Sequence, residues 1–362
     1  MRSVFLVPLV LAAASPVHAE DTRNDADQAA VAILESARSY VPAKATERKA
    51  PSYPRNELTS GREGWVEVGY CIDENGAPQN VQVLDSTGNS RFERAAISSV
   101  GNWKFEPALV GGKPSWQSNN KTLITFAIDA SQRGARREVA RKYKKLGELI
   151  DDNNLAEADA FFLDLIENER LNLYELAMIW SQRVRYQAKR GDFLKLDLAL
   201  HRATASDGQW TEEENYQRLL EIRVKVEIQL GNYAKALSAY RALKRVLGED
   251  APQVTALQPA IDSVRSYLDG NDVLESAAEI RAKGGCYGCD DSYWFIPARR
   301  TIAFREIDGA LTSIDVRCTH KRYESAVSEE VEWRIPDSWG SCSIEVHGKP
   351  GTTFKILALP DA

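Results

Sequence analysis

The stretch that decides the fold runs from Pro51 to Asp129 and reads PSYPRNELTSGREGWVEVGYCIDENGAPQNVQVLDSTGNSRFERAAISSVGNWKFEPALVGGKPSWQSNNKTLITFAID. Apolar residues alternate along its first strand, as Val66, Val68, Tyr70 and Ile72. Such residues share one face of a strand. Asn75–Gly76 then predicts a hairpin turn, because both residue types accept a positive φ. Val81 and Val83 continue the pairing strand.

A helix is predicted next. Ser90 and Glu93 fit a capping box, in which the two side chains satisfy amides of the first helical turn. One face of this helix carries Phe92, Ala96, Val100 and Trp103. The last strand alternates through Thr122, Ile124, Phe126 and Ile128. The order strand, strand, helix, strand predicts a small ββαβ domain, in which one helix covers an antiparallel sheet.

A module of this size offers sheet edges rather than a deep cleft, and an edge strand binds an extended peptide through its backbone. The strand from Lys121 to Asp129 comes last in the sheet and contains no proline. We therefore predict one peptide-binding edge strand, made of Lys121, Thr122, Leu123, Ile124, Thr125, Phe126, Ala127, Ile128 and Asp129. The alternative is that the linker Ala43–Pro51 covers this edge, or that a second copy of the chain does so as a homodimer.

The N-terminus predicts export. Arg2 precedes a short apolar run, Val4–Ala14, and Val17–Ala19 offers a cleavage site, so residues 1–19 are a predicted signal peptide. The run is shorter than the roughly 20 apolar residues that span a bilayer, although an uncleaved anchor is the alternative. Removing Arg2 changes the net charge from −6 to −7. Export and this negative charge argue against nucleic acid and favour a periplasmic location.

Further domains follow a short helix and linker (20–50) and the ββαβ domain (51–130). Residues 131–283 predict helical hairpins, because three similar segments enter a helix after a small or polar turn residue: Asn153, Gly191 and Gly231. Their pattern resembles tetratricopeptide repeats, which stack into peptide-binding or protein-binding grooves. A plain helical bundle is the alternative. The basic stretch Ser131–Gly147 is interpreted as an ordinary linker helix, so any membrane contact is peripheral.

Residues 284–362 predict a disulfide-stabilised antiparallel β domain, which completes an α+β chain. We predict a disulfide between Cys318 and Cys342, since neighbouring strands bring such residues within about 7 Å. Cys286 and Cys289 then pair locally or stay reduced, and Cys71 is the predicted free thiol. A thiol–disulfide redox protein using Cys286 and Cys289 is an alternative function. Asp290 and Asp291 disfavour it, because acids beside a thiol raise its pKa.

No catalytic constellation is found in the sequence. The chain contains no His-Glu-x-x-His, no Gly-x-Ser-x-Gly and no phosphate-binding glycine loop. The long gaps between the late cysteines make a zinc site a weak hypothesis. The sequence therefore predicts a binding protein that is not an enzyme and uses no cofactor or metal.

Residues of the first domain occur in the order and spacing of a known family. They are Tyr53–Pro54, Gly61, Glu63–Gly64, Val66–Val68, Ile72–Asp73, Asn75–Gly76, Val81, Val83, Ser86, Phe92, Ala95–Ala96, Trp103–Ala108 and Phe126. This stretch of about 80 residues resembles the C-terminal domain of TonB, the energy transducer of Gram-negative bacteria.

The resemblance implies that a helix packs on a three-stranded sheet whose final strand pairs with a short peptide of an outer-membrane receptor. Compared with the family, we expect the chain to lack the long N-terminal anchor and the proline-rich spacer. We therefore expect a periplasmic protein-interaction module, with envelope proteins such as an outer-membrane receptor as partners. A true TonB-like energy transducer for outer-membrane transport, with an uncleaved N-terminus, is the alternative.

Overall fold

The computed structural model describes residues 40–128, 134–280 and 292–360, and the predicted signal peptide lies outside them. The described residues form a mixed α+β structure with nine α-helices and antiparallel sheets. The helices are α1 (Arg55–Ser60), α2 (Ser90–Gly101), α3 (Arg137–Asp151), α4 (Leu155–Asn168), α5 (Leu173–Arg190), α6 (Phe193–Ala203), α7 (Glu213–Gln229), α8 (Tyr233–Leu247) and α9 (Pro252–Asp269).

The first region contains seven strands: β1 (Lys44–Glu47), β2 (Gly64–Ile72), β3 (Pro78–Ser86), β4 (Lys104–Glu106), β5 (Ala108–Val110), β6 (Lys113–Ser115) and β7 (Gln117–Phe126). Three of them form an antiparallel sheet in the order β3-β2-β7. Helix α2 packs on one face of this sheet, where Val66, Val68 and Phe92 are buried in a shared core. The alternation of apolar residues along β2 is what aims these side chains at the helix.

The Asn75–Gly76 hairpin is confirmed. Gly76 has a φ of 80°, and the Asp73 carboxylate accepts from the N–H groups of Asn75 and Ala77. A Cβ on Gly76 would lie 1.8 Å from the carbonyl oxygen of Phe105. A side chain is therefore excluded here twice, by the left-handed φ and by the close approach of β4.

Two local predictions in this region are wrong. Helix α2 is capped by Asn89, whose side chain accepts from the N–H groups of Arg91 and Phe92, so Ser90 and Glu93 form no capping box. Glu93 instead turns inward and hydrogen-bonds the hydroxyl of Ser86. The predicted linker also contains β1, which pairs with β4.

Helices α3 to α8 form three hairpins, and the three turns share one geometry. Asn153, Gly191 and Gly231 have φ values of 62°, 68° and 73°. The residue after each of them donates its N–H to a carbonyl five positions earlier: Leu149, Gln187 and Glu227. This 6→1 bond in a left-handed turn is the Schellman motif, which ends one helix and aims the chain into the next. The three similar segments in the sequence are therefore three similar turns.

The C-terminal region is built from eight strands: β8 (Leu274–Glu279), β9 (Ser292–Phe295), β10 (Thr301–Asp308), β11 (Leu311–Cys318), β12 (Arg322–Ala326), β13 (Glu332–Arg334), β14 (Cys342–Gly348) and β15 (Thr353–Leu359). They form two antiparallel sheets, ordered β13-β10-β15-β8 and β12-β11-β14-β9. Apolar side chains of both sheets, including Phe304 and Ile344, share one core. Strand β8 belongs to this region although it precedes residue 284, the start that the sequence predicted.

Arg299 joins the helical region to this β region. Its buried guanidinium donates to four carbonyls around the end of α9, those of Tyr267, Leu268, Gly270 and Asp272, and to the carbonyl of Ala358 in β15. A cation at a helix C-terminus satisfies carbonyls that have no partner within the helix and interacts favourably with the helix dipole. One side chain thus fixes where the helices stop and the sheets begin.

Candidate functional site

The candidate binding strand lies at the edge of its sheet. β7 pairs with β2 on one side, with Val66 opposite Ile124 and Gly64 opposite Phe126. The strand begins four residues earlier than predicted and ends at Phe126. Ala127 and Ile128 lie beyond it, and the Ile128 N–H donates to the Glu63 carboxylate at 2.6 Å. Asp129, the last residue of the predicted strand, lies outside the described residues.

The hydrogen bonds of β2 reveal which main-chain groups of β7 point outward. The carbonyl of Trp65 accepts from the N–H of Thr87 at 3.1 Å, so Trp65 faces β3. Main-chain groups alternate between the two neighbours along an antiparallel strand, so Val66 faces β7 and bonds to Ile124. It follows that Lys121, Leu123 and Thr125 direct their N–H and C=O groups away from the sheet.

No strand pairs with this outer edge in residues 40–128, 134–280 and 292–360. Lys121 and Thr125 are exposed, and Leu123 is partly buried against the helices. The linker does not cover the edge, because its strand β1 pairs with β4. The geometry leaves one stretch of backbone, Lys121–Thr125, open to strand addition.

A corner of the C-terminal region closes the beginning of the same edge. The N–H of Ser118 donates to the carbonyl of Thr319 at 3.4 Å. The next residue, His320, packs its ring edge-on against Tyr40, with the ring centroids 4.3 Å apart. The Tyr40 hydroxyl in turn donates to Gln117 at 2.8 Å. The open part of β7 therefore begins after these contacts.

The predicted disulfide holds this corner. Cys318 and Cys342 are bonded, with an S–S distance of 2.03 Å and with their Cα atoms 3.9 Å apart, within the predicted limit. Cys71 is the free cysteine of the described residues, as predicted, and it is buried. Cys286 and Cys289 lie outside the described residues, so a local pair between them stays a prediction.

The face of the sheet opposite α2 is covered by the other two regions through polar contacts. Arg202 of α6 binds the carboxylate of Asp85 through its Nη2, at 2.6 Å. Further along, Gln82 of β3 hydrogen-bonds both Glu345 and Arg317, at 2.9 and 3.1 Å. The sheet is thus enclosed on both faces, and β7 keeps one free edge.

Charge at this covered face extends to the candidate strand. Burial raises the pKa of Glu67, but the hydrogen bond and charge of His201 and the charge of Lys121 together bring it below its usual value. Lys121 also lies 5.9 Å from the centre of the Trp294 ring. Lys121 is therefore the point where the free edge meets the polar face.

Sequence reasoning missed two buried charged residues, one at the end of β7 and one at the polar face of its sheet. Glu63 is buried, and its two carboxylate oxygens accept from the N–H groups of Ile128 and Leu173, which ties the end of β7 to the start of α5. Arg317 is buried between Asp315 and Glu345, at 2.6 and 3.0 Å. In the sequence, the one indication that Glu63 has a special role is its position directly before an apolar strand. Arg317 alternates with apolar residues as a solvent-facing residue would.

In the described ranges, no group of three or more His, Cys, Asp or Glu side chains is placed to hold a metal ion. Among these residues, no helix combines the length and apolar character that crossing a membrane requires.

Comparison with known proteins bears on the first region. Residues 49–128 match the family model described as Gram-negative bacterial TonB protein C-terminal. Protein TonB of Yersinia enterocolitica is 47% identical over 51 residues, which are 14% of this chain and 20% of that relative. The chain therefore matches about one fifth of the relative's length.

A solved structure, the solution NMR structure of the Pseudomonas aeruginosa TonB CTD, shares 30% sequence identity. The match covers 25% of this chain and 90% of that one, with a TM-score of 0.23. A score this low adds no weight to the family match. On the strength of the family model and the sequence relative, residues 49–128 are a TonB C-terminal domain.

Proposed function

We propose that this chain is a periplasmic protein-interaction module that binds an extended segment of a partner along the outer edge of β7. The observation that carries the proposal is the outward-facing backbone of Lys121, Leu123 and Thr125, which no strand covers in the described part of the chain. Main-chain hydrogen bonds supply the affinity in this mode of binding, so the sequence preference is weak.

The partner belongs to the cell envelope. The match of residues 49–128 to TonB supports a role in TonB-type envelope transport, with an outer-membrane receptor as one candidate partner. The protein acts by binding and not as an enzyme. A homodimer through the same edge is the competing occupant.

The helical hairpins serve as a scaffold for the site. Trp65 and Leu123 pack their side chains against the helical core, so the edge strand rests on the helices from one side. Glu63 fixes the end of the strand to α5. A strand held in this way loses little conformational entropy when a partner binds, which favours affinity.

The test is a substitution at Thr125. Its N–H faces outward, so Thr125→Pro removes a donor from the free edge without breaking a bond to β2. Thr125→Val is the matched control, because it removes the hydroxyl and keeps the N–H. We expect envelope proteins that bind the full-length chain to be lost with Thr125→Pro and kept with Thr125→Val.

Circular dichroism must show both variants folded. Ile124→Pro is a control for unfolding. The N–H of Ile124 faces β2, so losing this donor should disrupt the sheet. If the partners of a folded Thr125→Pro chain are those of the parent, binding does not use this edge.

A further inference from the structure

We propose that two copies of this chain associate through the outer edge of β12, as antiparallel strands with Tyr323 opposite its own copy. This inference concerns an edge in the C-terminal region and does not depend on the proposed binding at β7. Its basis is the main-chain geometry of β12, together with a charge pattern that complements itself.

Strand β12 is the outermost strand of the sheet β12-β11-β14-β9. It pairs with β11 on one side, where Tyr323 lies opposite Val316. In the described part of the chain, no strand pairs with its other side. Its sequence, RYESA, contains no proline, and both Tyr323 and Glu324 are exposed. An uncovered edge of this kind is open to pairing with a strand of another chain.

The hairpin between β11 and β12 shows which main-chain groups of β12 point outward. The N–H of Cys318 donates to the carbonyl of Lys321 at 2.8 Å, so the main-chain groups of Lys321 face β11. These groups alternate along an antiparallel strand, so those of Tyr323 also face β11, whereas Arg322 and Glu324 direct theirs away from the sheet. A second strand can therefore bond to β12 through Arg322 and Glu324.

Charge determines the register of such a pair. In a two-fold symmetric pair of identical antiparallel strands, the central residue lies opposite its own copy. With Tyr323 at the centre, Arg322 and Glu324 each lie opposite the other residue of the second copy, so their outward main-chain groups bond and their opposite charges meet. A centre at Glu324 places two carboxylates opposite each other, which is unfavourable. A centre at Ser325 gives no ion pair, because Glu324 then faces Ala326.

The side chains of this register are already in place. Arg322 and Glu324 lie on the same face of β12 and contact each other within the strand. Arg322 also donates through Nε to the buried carboxylate of Asp315 at 3.0 Å. A guanidinium has five N–H donors, and within the described residues those on Nη1 of Arg322 make no hydrogen bond. A second copy can therefore add a carboxylate to Arg322 while the contact with Asp315 is kept.

The experiment measures the oligomeric state of the full-length chain by sedimentation velocity over a series of concentrations. A strand of five residues makes a small interface, so we expect a weak dimer that dissociates on dilution. Tyr323→Lys and Tyr323→Glu each place like charges opposite each other at the centre. Each variant alone should therefore associate roughly five- to thirtyfold more weakly than the parent. An equimolar mixture of the two should form a Lys–Glu heterodimer, which native mass spectrometry distinguishes from either homodimer.

A second set of variants tests the flanking ion pairs. Arg322→Glu and Glu324→Arg each leave charges of one sign on the strand, so each alone should associate more weakly than the parent. Mixing these two variants restores both ion pairs and should restore the dimer. Glu330→Arg is the matched control for net charge, because Glu330 is exposed and follows the end of β12. That variant should associate as the parent does, and so should Thr125→Pro at the β7 edge.

Three results would overturn the proposal. The first is a parent chain that stays monomeric at its highest soluble concentration. The second is a pair of variants that circular dichroism shows to be folded but that form no heterodimer when mixed. The third is a dimer that Thr125→Pro abolishes, which would place the contact at β7, or that Glu330→Arg weakens as much as Glu324→Arg does, which would make net charge the cause.

Discussion

The two faces of the β3-β2-β7 sheet are held by different chemistry. The face toward α2 is apolar, and Phe92 there stacks on Phe126 with the ring centroids 4.4 Å apart. Apart from Trp65 and Leu123, the opposite face meets the helical and β regions through charged and amide groups, among them Asp85, Gln82 and Arg317. The apolar face stabilises one domain, whereas the polar face selects how that domain sits on its neighbours.

The largest effect is expected on the apolar face. Phe92 is fully buried and contacts Phe126 and Tyr53. Phe92→Ala should destabilise the domain by about 3–5 kcal/mol, through lost burial and the remaining cavity. Phe92→Leu is the control and should cost less than half as much. Thermal unfolding followed by circular dichroism measures both, and equal losses would contradict the packing argument.

A smaller loss is expected when the polar face loses its central cation. Arg317 is 4% exposed and lies between Asp315 and Glu345. Arg317→Met keeps much of the volume but leaves Glu345 without its main counter-charge, at a cost of about 3 kcal/mol. The double variant Arg317→Met with Glu345→Leu should recover part of this loss. A double variant no more stable than the single one would show that the pair matters through shape and not charge.

These two faces also separate what the sequence predicts from what it does not. Val66, Val68 and Tyr70 alternate, and alternation alone identifies a buried strand face. The remaining residues of β2 and β3 include Glu67, Gln82 and Asp85, and polar residues in alternation predict a solvent-facing side. Only the partners from distant parts of the chain, 117 positions away for Asp85 and Arg202, explain their burial.

The candidate site shows the same division. That β7 is an edge strand followed from its place at the end of the ββαβ order. Where the open stretch begins and ends did not follow, because those limits are set by Thr319 and Glu63 through contacts with other regions. Strand β8 was missed for a related reason: its sequence, LESAAE, lacks the β-branched residues typical of strands, and pairing with β15 stabilises it.

A buried carboxyl group inside the helical region, that of Glu227, gives a third case. Burial raises the pKa of Glu227 to about 7, and neighbouring Asp197 raises it too, against the lowering effects of Lys235 and Arg223. The folded state therefore holds a proton that the unfolded state releases near pH 4.5. The contribution of Glu227 to the free energy of unfolding is fully present below pH 4.5 and is lost as the pH rises to about 7.

Glu227→Gln should remove this dependence. The amide oxygen still accepts from Asn232, which contacts Glu227 at 3.0 Å. At pH 8 we expect the variant to be more stable than the parent by on the order of 2 kcal/mol, and at pH 4 to be about equal. Urea unfolding at both pH values gives the two differences. A variant equally destabilised at both would show that Glu227 is charged in the folded state.

The smallest expected effect concerns the junction between the polar face of the β3-β2-β7 sheet and the C-terminal β region. Cys71 is fully buried, and Arg322 of β12 lies near enough for the two groups to interact electrostatically. Gln82 bridges the same junction through Glu345 and Arg317. Without the Gln82 side chain both hydrogen bonds are lost, but Glu345 and Arg317 stay paired with each other. The loss should therefore cost about 1 kcal/mol.

Gln82→Ala should therefore make opening of the junction about fivefold more frequent, with little change in overall unfolding. A thiol reagent reacts with Cys71 only in the open form, and mass spectrometry of the labelled peptide separates Cys71 from the other cysteines. The matched control is Gln79→Ala on the same strand, since Gln79 hydrogen-bonds Asp73 within the first domain. If both variants label at the parent's rate, Cys71 is protected by its own domain, and the polar face does not control access to it.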